Sequence, residues 1–187
     1  MNTTREEAIR TIRAIPTVYP AASGTLYRSR TEAKWAVFLD TLFGHSPFLY
    51  EGQGFFLPNG DAYLPDFLLP GLSLYAEVKP AIDFDPDGAD KLRSLVMARG
   101  NMRGAIFPEI GPGEVHILLM GPDGPVTWED DRAAWMTCPQ GYHHDVQPYY
   151  PQPGCRQCGT RTGYWHESNM ITAAYNTARN YRFGRIA

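Results

Sequence analysis

Residues 63–80, YLPDFLLPGLSLYAEVKP, limit the possible folds more than any other stretch. They read as two apolar strands joined by a turn at Pro70-Gly71. Yet Asp66 falls inside the first strand, and Glu77 and Lys79 fall at the end of the second. Charged residues are depleted in strands and costly to bury. The fold must therefore carry these three groups to a place that stabilises charge.

Strand alternation sets Asp66 on one face with Leu64 and Leu68, and Glu77 and Lys79 on one face with Tyr75. A tight connection through Pro70 and Gly71 then lays the strands side by side. Asp66 and Glu77 converge near one end of the hairpin, with Lys79 one pleat further along. Two carboxylates held together repel, and one is driven toward protonation unless something compensates. A divalent cation does so. Mg²⁺ takes oxygen ligands, commonly one or two carboxylates, and keeps several waters. Such a centre can accept a phosphodiester oxygen and acidify an attacking water. Lys79 would add positive charge and orient or deprotonate that water. The competing reading is a plain cross-strand ion-pair cluster.

The flanking segments predict a mixed α/β unit with helices packed on a sheet. A short helix is expected at 4–14 and a stronger one at 27–44, capped by Ser29 or Thr31 and ended by Gly44. Trp35, Phe38, Leu39 and Leu42 form its core face. Glu32 lies three, four and seven residues before Trp35, Ala36 and Leu39, on or near that face, where it needs a partner; a metal-bound water would serve. Strands follow at 47–60 and 61–71, with Asn59-Gly60 as the hairpin signal, and at 73–80. An amphipathic helix is expected at 84–100, opened by Asp85 and Pro86, then short strands at 104–110 and 114–121.

RSRTEAKWA, YLPDF and AEVKP, in that order, resemble the PD-(D/E)XK nuclease superfamily over about residues 25–120. The resemblance implies a restriction-endonuclease-like fold, a mixed four-stranded sheet flanked by helices. It implies Mg²⁺- or Mn²⁺-dependent endonucleolytic cleavage of DNA. Carried over residue by residue, it makes Asp66, Glu77 and the Val78 carbonyl cation ligands, with Lys79 positioning the water and Glu32 acting through water or a second metal. A homodimer is compatible with it, since many nucleases pair to cut two strands. Phage, DNA-repair and defence systems are the settings it suggests. Catalytically inactive binding modules and RNA-directed enzymes also belong to this superfamily. Asp90, Lys91 and Arg93 fit a solvated helix face better than a DNA-backbone contact, and Gln53 and Glu51 fit a polar strand edge better than a cleft lining.

The texture changes near residue 129, so 1–128 reads as the nuclease-like core and 129–187 as a second module with a C-terminal helix at 167–183. All three cysteines lie there. Cys155-Arg156-Gln157-Cys158 is a C-x₂-C knuckle suited to Zn²⁺, and Cys138 adds a third sulfur. Gly141 stands where a second cysteine would complete the first knuckle, so His143 is the first choice for the fourth ligand, His144 the second and His166 the third. The expected role is structural, in a small zinc-ribbon-like module. Residues 138–187 hold five Arg against two acids, a local +3 in a chain of net charge −3. A basic module beside an acidic body suits DNA: Arg28, Arg30, Arg156, Arg161, Arg179 and Arg182 are the phosphate-contact candidates. Tyr149, Tyr150, Tyr164 and Trp165 suit a small ribbon core or base stacking.

No phosphate-cradling Gly loop and no Ser-His-Asp or Cys-His arrangement is present. No apolar run reaches the length of a membrane span, and the first residues lack the apolar centre of a secretory signal, so a soluble, cytoplasmic protein without a membrane partner is expected.

Overall fold

The computed structural model describes residues 19–20, 24–44, 48–52, 54–56, 60, 62–72, 74–78, 116–120, 125–127, 133–141, 143–148, 155, 157–160, 163 and 166–183. The expected helices at 4–14 and 84–100, the strand at 104–110, and the side chains of Gln53, Lys79, Asp90, Lys91, Arg93, Tyr149, Tyr150, Arg156, Arg161, Tyr164 and Trp165 lie outside the described residues.

A short strand pair, β1 (Tyr19–Pro20) and β2 (Leu26–Tyr27), leads into helix α1 (Arg30–Phe43). Ser29 is its N-cap, Oγ accepting from Glu32 N, and Gly44 its C-cap at φ 88, donating to Asp40 O. Trp35, Phe38, Leu39 and Leu42 are all buried.

The main sheet has the order β3-β6-β7-β8-β9, where β3 is Leu49–Tyr50, β6 Phe67–Leu69, β7 Leu74–Val78, β8 His116–Met120 and β9 Pro125–Thr127. β3, β6 and β7 form an antiparallel meander, β8 runs parallel to β7, and β9 is antiparallel to β8. A 3₁₀ turn, Pro70–Leu72, joins β6 to β7 in the register Phe67↔Ala76, Leu68↔Tyr75, Leu69↔Leu74. Phe67, Leu69, Leu74, Ala76 and Val78 join α1 in the hydrophobic core. Leu68 and Tyr75, on the opposite face, are also buried, so the central hairpin is covered on both sides.

Two strands expected as continuous are broken. Residues 47–60 divide into β3 and β4 (Phe55–Phe56), with Glu51 at φ 47 in the turn after β3. Residues 61–71 divide into β5 (Ala62–Tyr63) and β6, and β4 pairs with β5 apart from the main sheet; Asn59 of the expected turn lies outside the described residues. Asp66 is therefore in a bend before β6, not inside a strand. Pro65, buried in the break, has no N–H to give a ladder.

The C-terminal region holds more regular structure than its texture suggests. β10 (Ala133–Thr137) and β11 (His144–Pro148) form an antiparallel hairpin, and α2 (Asn169–Asn180) is capped by Ser168. The core does not stop at residue 128: Trp135, Ile171, Ala174 and Ala178 belong to the same buried cluster as α1 and β7. The Trp135 ring lies 5.6 Å from Phe38 and 5.5 Å from Phe43, and Tyr175 of α2 lies 4.5 Å from Phe38. No helix among the described residues is long and apolar enough to cross a membrane.

Candidate functional site

Asp66 and Glu77 are braced by one another's chain segments. Val78 N donates to Asp66 Oδ2 at 2.7 Å, and Tyr63 Oη donates to Glu77 Oε2 at 2.8 Å. Each acid thus takes a donor from beside the other. The register explains this: continued past Phe67↔Ala76, it sets Asp66 opposite Glu77. Tyr63 is buried, and its phenol is pushed well above its ordinary range, by burial first and then by the charges of Glu77 and Asp66. It is therefore a fixed donor to Glu77. Glu51 N completes the bend by donating to Asp66 O at 2.9 Å.

Glu32 is buried as expected but sits in a different group. Its Oε2 accepts from Tyr50 Oη at 2.6 Å and from Arg28 N at 3.1 Å, while its own amide bonds Ser29 Oγ. Ser29-x-x-Glu32 is thus a variant of the capping box, reaching back to the amide one residue before the cap. Burial first, then the bond to Glu32, pushes the Tyr50 phenol up. The acids that act on Tyr50 are Glu32 and Glu51; those that act on Tyr63 are Glu77 and Asp66. Alternation separates the two sets. Ala76 and Val78 face α1, so Glu77 between them lies on the side away from it. Arg28, a phosphate-contact candidate, is ion-paired with Glu51, and Arg30 is exposed at the start of α1.

The cysteines converge. Cys138, Cys155 and Cys158 place their sulfurs within 4.8 Å of one another, a trio that could bind a metal such as zinc. Cys138 Sγ and Cys158 Sγ are 3.7 Å apart. Zn–S bonds of about 2.3 Å in a tetrahedron give an edge of about 3.8 Å, so the spacing suits a shared ion. Burial pushes the Cys155 thiol up to about 11, and the Thr160 hydroxyl and amide pull Cys158 down to about 7. Among the described residues no other trio of His, Cys, Asp or Glu meets this spacing; Glu32, Asp66 and Glu77 do not.

Two glycine turns present the sulfurs. Gly141 N donates to Cys138 O and Gly159 N to Cys155 O, each at 2.7 Å, with φ of 82 and 73. The first turn closes one residue sooner than the second, and Gly141, at the offset from Cys138 that Cys158 holds from Cys155, brings no ligand atom. His143, His144 and His166 all lie nearby. His143 O accepts from Cys138 N at 2.7 Å, and His166 O accepts from Thr137 N at 2.7 Å. His144 is buried, with Nδ1 3.2 Å from Thr137 Oγ1 and its ring against Phe43, and burial lowers its pKa.

The partners the sequence reading did not find are Tyr63, Tyr50 and Gln157. For Glu32 a signal existed in the S-x-x-E spacing; for Tyr63 no spacing rule links a tyrosine to an acid fourteen residues later. The chain matches no protein-family model, no curated protein and no solved structure.

Proposed function

We propose that the chain is a metal-dependent endonuclease that hydrolyses DNA phosphodiester bonds. The observation that carries this reading is the cross-bracing of Asp66 and Glu77 at one end of the β6–β7 hairpin. The sheet order adds support: a helix, then an antiparallel meander bearing both acids, then a strand parallel to the second acid's strand suits the restriction-endonuclease-like fold. The donor set suits Mg²⁺ or Mn²⁺, which commonly take one or two carboxylates from a protein. A carboxylate has about four lone-pair sites, more than the bond from Val78 N or Tyr63 Oη uses.

In this reading Asp66, Glu77 and the Val78 carbonyl hold the cation. When bound, it neutralises charge on the phosphodiester and acidifies a water. Tyr63 keeps Glu77 oriented, and Lys79 orients the attacking water or takes its proton at Nζ. Glu32 acts by holding the start of α1. Cys138, Cys155 and Cys158 hold a structural Zn²⁺ that ties the 138–160 region together. Arg30, Arg156 and Arg161 meet DNA phosphate.

Single-stranded, duplex and branched DNA incubated with Mg²⁺ or Mn²⁺ test this. Asp66→Ala and Lys79→Ala are each expected to slow cleavage by about a hundredfold or more. Cleavage that survives both substitutions would sink the assignment. One observation favours a second reading, a catalytically inactive nucleic-acid- or protein-binding module. Asp66 and Glu77 both accept hydrogen bonds from the chain itself, which stabilises the hairpin without a cation. Tight DNA binding without Mn²⁺ uptake in calorimetry would select it.

A further inference from the structure

Gln157 sits inside the C-x₂-C knuckle and joins it to residues 143 and 144. Its Nε2 donates to His144 O at 3.1 Å, and its Oε1 lies 2.8 Å from His143 Nδ1. The first contact fixes the second. A carbonyl oxygen only accepts, so the amide nitrogen must face His144 O and the amide oxygen must face His143. An amide oxygen also only accepts, so His143 Nδ1 carries the proton. The lone pair of the neutral ring is then on Nε2. Histidines that bind metals show this arrangement: one nitrogen donates to an oxygen, and the other is left as the ligand.

His144 has no such arrangement. Its Nδ1 faces a hydroxyl, which both donates and accepts and so selects no tautomer. Its ring is buried against Phe43. His143 is half-buried, and its carbonyl is bonded to the Cys138 amide, which anchors its backbone beside the first sulfur.

We infer that His143, through Nε2, is the fourth ligand of the metal held by Cys138, Cys155 and Cys158, and that Gln157 is the positioning residue that sets its tautomer. This rests on the zinc reading above. No His143 nitrogen lies within 4.8 Å of all three sulfurs, so ligation requires its ring to turn toward them, on a backbone that the Cys138 amide holds. Gly141, at the offset from Cys138 that Cys158 holds from Cys155, has no side chain to ligate, so a fourth protein ligand must come from elsewhere than this position.

The full-length chain loaded with Co²⁺ tests this, because the visible bands of tetrahedral Co²⁺ report its donor atoms. Wild type should take up one equivalent with the bands of three sulfurs and one nitrogen. His143→Ala should move the bands and weaken binding. His143→Cys should restore affinity with a four-sulfur spectrum, and His144→Ala and His166→Ala should leave the bands unchanged. Gln157→Ala should weaken Co²⁺ binding by about 10–100-fold. Gln157→Glu keeps the acceptor for Nδ1–H and loses only the bond to His144 O, so it should rescue most of that loss; a merely structural Gln157 would not be rescued. Bands that move in His144→Ala or His166→Ala but not in His143→Ala overturn the assignment, as does unchanged affinity in Gln157→Ala. Absence of thiolate-bound Co²⁺ in the wild type, or bands that persist in Cys138→Ser, removes the zinc reading itself.

Discussion

The carboxylate edge and the sulfur cluster both gather groups that repel when charged, but they stabilise them by different means. At the edge the chain supplies the donors: Tyr63 Oη for Glu77, Val78 N for Asp66, Tyr50 Oη for Glu32 and the Arg28 guanidinium for Glu51. At the cluster burial pushes the Cys155 thiol up, and the Thr160 hydroxyl and amide pull Cys158 down. Each acid at the edge is met by a donor from the fold, whereas three thiolates within 4.8 Å of one another repel unless a cation lies between them. A cation at the edge would add chemistry; at the cluster it would add stability.

Removing a bound metal acts on the cluster and leaves the donors at the edge in place. A metal present at about a thousand times its dissociation constant contributes about 4 kcal/mol. For a chain of this size that is roughly 8–16 °C in melting temperature. Strong chelation of the purified chain should lower the melting temperature by about that amount. The loss reaches the core, because Cys138 directly follows β10, which carries Trp135 between Phe38 and Phe43. Zn²⁺ should restore the transition and Mg²⁺ should not. A melt that chelation leaves unmoved would show that the cluster is organised by folding alone.

Single donors to the carboxylates contribute less. Tyr63→Phe and Tyr50→Phe each remove one donor to a carboxylate, and each should cost about 1–3 kcal/mol in urea unfolding. Only Tyr63→Phe should weaken Mn²⁺ binding, because Glu32 and Tyr50 belong to the separate group beneath α1. An equal loss of Mn²⁺ affinity in both would join Glu32 to the site. The same tyrosines give the edge an alkaline limit. Tyr63 and Tyr50 are raised in the fold, and burial pushes Tyr75 up to about 12. Above about pH 10 the unfolded chain has lost tyrosine protons that the folded chain keeps, so stability falls as pH rises. Urea midpoints should therefore be level from pH 8 to about 10 and decline toward pH 12.

How far the sequence reading reached depended on whether a feature was local. The α1 core stripe, its Ser29 cap and the Gly44 stop follow from spacing within one helix, and the structure has all three. That Asp66 and Glu77 fall opposite one another follows from a tight turn, although Pro65 breaks the strand that alternation assumes. Spacing puts Glu32 on the buried side of α1, where it is, but burial does not tell which face of the sheet the helix covers. That depends on Phe67, Leu69 and Ala76 facing α1, a fact of packing rather than pattern. Trp135 is similar: nothing local shows that a strand in the cysteine-bearing region closes the core of α1. Gln157 reads as a spacer in a C-x₂-C knuckle, and its role emerges only once two turns seventeen residues apart are brought together.

The smallest effect concerns Glu51, which links the two acid groups. It is the only non-glycine at positive φ among the described residues, at 47, and its amide holds the Asp66 carbonyl. For a residue with a Cβ this conformation costs on the order of 1 kcal/mol. The ion pair with Arg28 returns about 1 kcal/mol at most, as both side chains are partly exposed. Glu51→Ala keeps the strain and loses the pair, so it should destabilise by up to about 1 kcal/mol. Glu51→Gly loses the pair but removes the strain, so it should leave stability nearly unchanged. Urea unfolding of the two variants isolates the backbone contribution, because the ion pair cancels between them. Equal stabilities would mean that the turn at Glu51 stores nothing. Asp66 would then owe its position to Val78 N and the β6–β7 register alone.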